Sequence, residues 1–312
     1  MEHLLVAANV VMPLLLLMVT GALVKRAGFV EDDTLHKVDA LSFKVFLPAL
    51  VFNSIYNSDF RAGGYGRLVV FGTVCTLVIG AFGFLLAKRL KVSQKKAASM
   101  ACAVTRTNVV LYGVAVLNNL YGEGSAAAVV VLSAVTVPVT NAMSVIFFEY
   151  FRGGKVSAKR VISGVARNPL ILASAVGIVV ALLGIRLPAL LEGLLEDLAS
   201  VATPLCLLTL GASISAKGLR TNARLVALGT ALKMAILPAV FLGISVAAGF
   251  RNHDLAALMV QFGAPTAISS YTMANQMGAD GELSSAMIAV TTTASILTIF
   301  MITFLFNACG LV

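Results

Sequence analysis

Arg106, followed by Thr107 and Asn108, stands about nine residues into an apolar stretch that runs from 97 to 121. A lone guanidinium at that depth of a membrane-spanning helix costs at least about 2.5–3.5 kcal/mol on insertion scales, so something must compensate it. Either Arg106 faces a cavity and assists an anion, or it pins a helix crossing or snorkels to the interface. A second polar run, Gly263-Ala264-Pro265-Thr266-Ala267-Ile268-Ser269-Ser270-Tyr271, lies at comparable depth in another apolar stretch. Pro265 removes one backbone donor and clashes with the preceding turn, which frees a carbonyl near Gln261 and predicts a kink or an unwound segment. The stretch around Arg106 has no proline, and Gly113 is a weak breaker, so its interruption rests on Arg106, Thr107 and Asn108. Broken helices of this kind hold substrate near the bilayer midplane in secondary carriers. The candidate substrate-binding residues are therefore Arg106, Thr107, Asn108, Gly113, Ala264, Pro265, Thr266, Ser269 and Ser270.

Asn53, Asn141, Thr209 and Lys233 are further polar groups inside apolar stretches and are candidate supporting residues. Interhelical hydrogen bonds explain the uncharged ones as readily as ligand contacts do. Lys44 and Lys233 are each within reach of the basic side of their helices by snorkelling. On this segmentation no Asp or Glu lies deep in a span, with Glu149 and Asp59 near segment ends, so a proton relay of titratable groups is not visible. Sodium held by carbonyls and by Asn, Ser and Thr oxygens stays open. No metal cluster and no cofactor motif is expected. Gly153-Gly154-Lys155 is followed by Val156 and is not a phosphate loop, and no G-x-S-x-G elbow occurs, so an enzyme is not expected. Cys75, Cys102, Cys206 and Cys309 stand singly in apolar surroundings and read as small buried packing residues.

These residues need a frame, and the composition supplies it. Of 312 residues, 59% are hydrophobic and 12% charged, against about 45–50% and about 25% in soluble domains. The apolar stretches approach the roughly 20 residues that cross a bilayer. Ten can be drawn, near 4–24, 38–57, 68–87, 97–121, 125–151, 168–185, 198–216, 224–249, 255–277 and 283–306. They read as helices of one integral membrane domain, an all-α polytopic protein. The first is followed by Lys25-Arg26 rather than a small-residue cleavage site and reads as a retained span.

The net charge of +9 lies in short clusters between the stretches, which speaks for topology and not for nucleic-acid binding. Odd-numbered connections hold sixteen Lys and Arg, from Lys25, Arg26 and Lys37 through Arg152, Lys155, Lys159, Arg160 and Arg167 to Arg224; even-numbered ones hold only Arg61, Arg67, Arg186 and Arg251. The positive-inside bias then puts both termini outside. Sliding the chain along itself by 156 residues superposes Pro13 on Pro169, Gly21 on Gly177, Pro48 on Pro204 and Asn119 on Asn275. Five spans per copy make the second copy inverted, with repeats at 1–155 and 156–312. Each copy also shows an apolar helix, a short connector, then a proline-containing helix. The leucines of 187–198 recur at period 3.6, which predicts that the second connector is a separate amphipathic helix in the membrane interface.

The stretch 14–29, the segment Phe46-Leu47-Pro48-Ala49-Leu50-Val51-Phe52, the run Arg106-Thr107-Asn108 with Gly113, and Ala264-Pro265-Thr266-Ala267 followed by Ala274-Asn275-Gln276-Met277-Gly278 resemble the auxin efflux carrier family of permeases. The likeness runs from about 4 to 306. The family includes plant auxin exporters and bacterial carriers of malonate and other small organic acids. The resemblance implies a ten-helix fold similar to bile-acid sodium symporters and sodium/proton antiporters, with helices 4 and 9 crossing at the substrate site, elevator-type movement and common homodimers. Two features depart from many members. A proline two residues after Gly113 is replaced by Ala115, and the connection after the fifth span is only about 16 residues, so the bacterial type is the better match.

The function expected from these readings is secondary transport of a small organic anion, malonate- or auxin-like, across the plasma or inner membrane. Alternatives are a sodium-coupled carrier of bile-acid-like anions, and a channel or ligand sensor on a carrier scaffold.

Overall fold

The computed structural model describes residues 2–58, 64–123, 125–152 and 158–312. Every described element is helical. The first half runs α1 (Glu2–Arg26), α2 (Asp32–Leu41), a π-helical turn (Ser42–Phe46), α3 (Leu47–Tyr56), α4 (Gly66–Arg89), α5 (Gln94–Thr105), α6 (Val109–Tyr121) and α7 (Ala127–Phe151). The second runs α8 (Ala158–Ala166), α9 (Pro169–Leu183), α10 (Ala189–Ser213), α11 (Ala216–Thr221), α12 (Ala223–Ala231), a π-helical turn (Leu232–Ile236), α13 (Leu237–Ala247), α14 (Asn252–Gly263), α15 (Ser269–Gln276) and α16 (Gly281–Ala308).

Seven continuous or near-continuous helices are long and apolar enough to cross a membrane among the described residues: Asp32–Tyr56, Gly66–Arg89, Gln94–Tyr121, Ala127–Phe151, Ala189–Ser213, Ala223–Ala247 and Gly281–Ala308. The apolar helix α9 is shorter, at 15 residues. Length and composition therefore make this an all-helical polytopic membrane protein. Large apolar side chains such as Leu16, Val70, Leu183 and Leu297 are more than half exposed. In water that would be an aggregation hazard, and in lipid it is the expected outer surface.

Both π turns stand immediately before a Leu-Pro pair, Leu47-Pro48 and Leu237-Pro238. Proline offers no amide and crowds the carbonyl four residues back. Widening the turn ahead of it lets the helix continue across the bilayer.

The expected separate connector at 187–198 does not form. Its leucines are the first half of the single 25-residue helix α10, which starts after Pro188 and runs through Pro204. Between Ala189 and Ala199 only Gly193 and Asp197 depart from good helix formers, and neither ends the helix where the amphipathic pattern ends. The first-half connector behaves alike, because α2 passes without interruption through its π turn into α3. Amphipathicity reported the environment of that face and not a helix boundary. A second correction concerns cysteine: Cys75, Cys102 and Cys206 are buried, but Cys309 is exposed because it lies past the last turn of α16. Arg61, Asp59 and Gly153-Gly154-Lys155 lie outside the described residues, as do the side chains of Lys159 and Arg160.

Helices α1, α3, α9 and α10 pack together on one side, with α4, α5 and α7 forming a second group. The tightest approach joins α1 to α10. A Cβ on Gly21 would stand 2.0 Å from the Leu208 carbonyl oxygen, and one on Gly211 would stand 2.0 Å from the Met18 carbonyl oxygen. Two glycines on opposite helices thus each accommodate the other's backbone, the small-residue packing that holds helices together where lipid offers no hydrophobic drive. Replacing Gly211 by Val forces these backbones apart and should cost about 1–3 kcal/mol or more. A lowered melting temperature in detergent, next to a Gly193→Ala control at a helical site with open space around it whose melting is held or raised, checks this; equal melting of Gly211→Val and parent contradicts it.

Candidate functional site

Helix α5 stops at Thr105 and α6 begins at Val109, so residues 106–108 interrupt what would be one span. Helix α14 stops at Gly263 and α15 begins at Ser269, which leaves 264–268 as the matching interruption. The second break is favoured by the sequence, because the residue before a proline is disfavoured in helical geometry, although Leu47, Thr203 and Leu237 stay helical ahead of their prolines. Ala264, ahead of Pro265, is extended at φ −75°, ψ 156°. Arg106 is extended in the same way at φ −81°, ψ 136°, with no proline to require it.

The two breaks hold one another. The Asn108 amide donates to the Pro265 carbonyl at 2.9 Å. In return, the Thr266 hydroxyl donates to the Ala103 carbonyl at 2.9 Å, in the last turn of α5. The Thr266 amide donates to Thr291 Oγ1 of α16 at 3.3 Å. A proline-coded break thus props open a neighbouring helix that lacks the proline, and backbone groups exposed by one are satisfied by the other, as burial demands.

Arg106 occupies the crossing and is 4% exposed. Its Nη1 donates to Asn141 Oδ1 of α7 at 2.5 Å and reaches Met273 Sδ of α15 at 3.1 Å; its Nη2 donates to Ser269 Oγ at 2.6 Å. Three of the five guanidinium donors are thereby used. The buried Nε has no partner, and neither does Asn141 Nδ2 beside it. No carboxylate pairs with Arg106 among the described residues, whose ion pairs are Lys25–Asp32, Lys37–Asp33 and Arg152–Glu149.

Lys233, in the second π turn, is 3% exposed and donates to Thr107 Oγ1 at 2.5 Å. It is a second buried cation at the break and does not reach for the interface. Lys44, its counterpart in the first π turn, is exposed.

A cavity of about 120 Å³ opens against this crossing. Arg106, Thr107, Asn108, Asn141 and Ser269 supply its polar edge, and Leu47, Leu50, Val109, Val110, Val137 and Ile268 much of its apolar wall. The first turn of α6 borders it. By helix geometry the amides of Val109, Val110 and Leu111 have no intrahelical partner, and α6 has no side-chain cap. Helix α15 also starts at this cavity, so two helix N-termini add partial positive charge to that of Arg106. The arrangement suits a carboxylate attached to an apolar body.

Of the expected binding residues, Arg106, Thr107, Asn108 and Ser269 meet at the cavity, with Asn141 from the supporting set and Lys233 behind Thr107. Ala264, Pro265, Thr266 and Ser270 are buried in the crossing and shape it without bordering the cavity. Gly113 is not a breaker. It lies within α6, where a Cβ would stand 2.5 Å from Val129 Cγ2, so its smallness serves the approach of α6 to α7. Asn53 pairs with Asn57 on α3, and Thr209 lies farther along α10.

Residues 6–303 match the family described as membrane transport protein. The chain belongs to this family, that of the auxin efflux carriers. Among curated proteins, an uncharacterized transporter of Methanothermobacter thermautotrophicus is 24% identical over 298 residues, covering 94% of this chain and 96% of that one. The uncharacterized transporter MJ1031 of Methanocaldococcus jannaschii is 22% identical over 93% of this chain and 96% of its own length. The uncharacterized transporter YfdV of Escherichia coli K12 is 22% identical, over 92% and 93% respectively.

Three features of this family member escaped the sequence reading. Met273 touches Arg106 because it stands one turn after Ser269 on α15. Gln261 places its amide between Thr76 at 3.0 Å and Thr136 at 3.2 Å, tying α14 to α4 and α7 just before the break. Asp39 is 1% exposed in α2, inside the membrane-spanning helix Asp32–Tyr56, which overturns the expectation that no carboxylate lies deep in a span. The segment drawn from 38 put Asp39 at its edge; the helix in fact begins at Asp32.

The reciprocal bonds make a direct prediction. Thr266→Val keeps the shape but leaves the Ala103 carbonyl without its donor, which should cost about 1–3 kcal/mol, whereas Thr266→Ser keeps the hydroxyl. A melting temperature lowered in the Val variant and largely retained in the Ser variant checks it, and equal losses in both contradict it.

Proposed function

We propose that this protein is a secondary transporter that moves a small organic anion across the cell membrane by alternating access. The observation that carries this reading is the buried, ion-pair-free Arg106 with an unpartnered Nε at an apolar cavity where two broken helices meet. A carboxylate supplies the missing charge and accepts from Arg106, while Ser269, Asn108 and the first amides of α6 orient it. The apolar wall takes the rest of the molecule, which favours an anion with one carboxylate on a hydrophobic body, auxin-like, over a compact dianion such as malonate. The group binds and releases without covalent change, so the protein acts as a carrier and not as an enzyme.

The architecture we infer has ten spans in two inverted five-helix repeats, at 1–155 and 156–312. The seven long helices are joined in it by α1, by α8 with α9, and by α14 with α15. Support comes from the order of elements: a helix carrying Pro48 or Pro204, then a long helix, a broken helix and a final long helix, in each half. Five spans per repeat reverse the second copy, and the Lys and Arg bias then places both termini outside the inner or plasma membrane. The helices α1, α3, α9 and α10 form a panel, against which the unit holding the two broken helices slides in an elevator movement. A homodimer joined through the panels fits the exposed apolar faces of α9 and α10.

Arg106→Ala removes the charge-assisted bond to the carboxylate, worth about 1.5–3 kcal/mol, or roughly 10–100-fold in affinity. Binding of indole-3-acetate and malonate to purified protein, followed by thermal shift and by uptake into proteoliposomes, tests this. Saturable uptake by the parent, with affinity weakened at least about tenfold in Arg106→Ala, is the expected result. Equal binding and uptake in a folded Arg106→Ala protein contradicts the assignment.

A further inference from the structure

Asp39 faces a polar cluster made by three helices. The amide Nδ2 of Asn275 on α15 donates to its Oδ2 at 2.9 Å. The hydroxyls of Thr209 on α10 and Tyr271 on α15 flank the same carboxylate. Tyr271 in turn shares a hydrogen bond with Ser213 of α10. The other carboxylate oxygen, Oδ1, is buried without a hydrogen-bond partner, and so is Ser42 Oγ three residues along. The titratable groups facing the cluster are Cys206 of α10 and Tyr271 of α15; His36 on its own helix and Lys44 in the π turn are exposed. Among the described residues Asp39 has no ion pair. An ionised carboxylate so placed needs a positive charge, and a proton on Oδ1 meets that need within the space available.

The cluster and the Arg106 site share one element. On α15, Ser269 and Met273 reach Arg106, whereas Tyr271 and Asn275 reach Ser213 and Asp39. Two residues along a helix is a rotation of about 200°, so the two pairs occupy opposite faces. This short helix stands between a cation on one side and a carboxylate on the other. It also lies against α10 of the panel and against α2, which continues through its π turn into the panel helix α3.

We infer that Asp39 is a proton-binding site coupled to the anion cavity through α15, a reading that rests on the carrier function proposed above. Its carboxylate takes one proton from the aqueous phase, forming an O–H bond on Oδ1, and returns it to water when deprotonated; nothing else is made or broken. As a carboxylate it accepts from Asn275 and ties α15 to α2. As a neutral acid it accepts more weakly, and the broken-helix unit is freed to move with its anion.

The test has two arms. Infrared spectroscopy of the purified protein, titrated with acid, reads a carboxylic-acid carbonyl band directly. The difference between the parent and Asp39→Asn titrations, in which the other carboxylates cancel, should contain one such band, and the difference between Asp39→Glu and Asp39→Asn should contain it again. A difference spectrum of parent against Asp39→Asn without a carbonyl band overturns the site whether or not anything is transported. Gly281→Ala provides an independent variant, since a Cβ there would stand 2.0 Å from Asn275 Oδ1 and must displace that side chain. It should shift the pH at which the band titrates, and an unshifted titration counts against the cluster. In proteoliposomes loaded with indole-3-acetate, Asp39→Asn should keep anion exchange but lose acceleration by an imposed pH gradient. Equal acceleration in Asp39→Asn and parent overturns the coupling. A parent with no anion flux at all overturns the carrier reading instead, and the infrared arm then decides Asp39 alone.

Discussion

A guanidinium buried where two helices stop is the interaction on which the rest of this structure depends. Arg106 is buried and has no carboxylate beside it among the described residues. It is held by Asn141, Ser269 and Met273, neutral groups that orient a charge without cancelling it. The helix N-termini of α6 and α15 add positive potential in the same place. A site of that sign, kept out of water and walled by apolar side chains, gains most by accepting an anion.

The backbone that makes such a site must be broken inside a membrane protein, where unsatisfied amides and carbonyls are expensive. The two breaks solve this jointly. Pro265 favours one of them, and its own carbonyl, left outside any helix, is the acceptor for Asn108 in the other. Thr266 returns the favour at Ala103. Away from the crossing, helices are kept intact at some cost in geometry, by π turns ahead of Pro48 and Pro238 and by glycine-lined contact between α1 and α10. Continuity in these helices and interruption at the crossing stand side by side, with intact helices flanking the broken pair.

How much of this was legible in the sequence follows from what each signal measures. The membrane class was plain from composition, and a break at Pro265 was favoured by a local preference that the uninterrupted helices through Pro48, Pro204 and Pro238 show is not decisive by itself. The interruption at 106–108 was readable only through its polar residues, because the bond that sustains it comes from Pro265, 157 residues along the chain from Asn108, and no local pattern encodes it. Gly113 was read as a breaker, but glycine marks close packing as often as weak helix, and only the position of Val129 distinguishes them. The leucine pattern at 187–198 marked residues that are nearly all helical but misplaced where that helix ends, since periodicity carries no stop signal. Asp39 was missed for the opposite reason: a hydropathy boundary drawn six residues late turned a buried acid into a terminal one.

The account stands or falls on whether a carboxylate settles at the helix ends beside Arg106. Hydrogen–deuterium exchange of the purified protein, with and without saturating indole-3-acetate, reads this at the amides themselves. Slower exchange confined to Val109, Val110, Leu111 and the start of α15 is the predicted result. Protection elsewhere with none at these amides would contradict it.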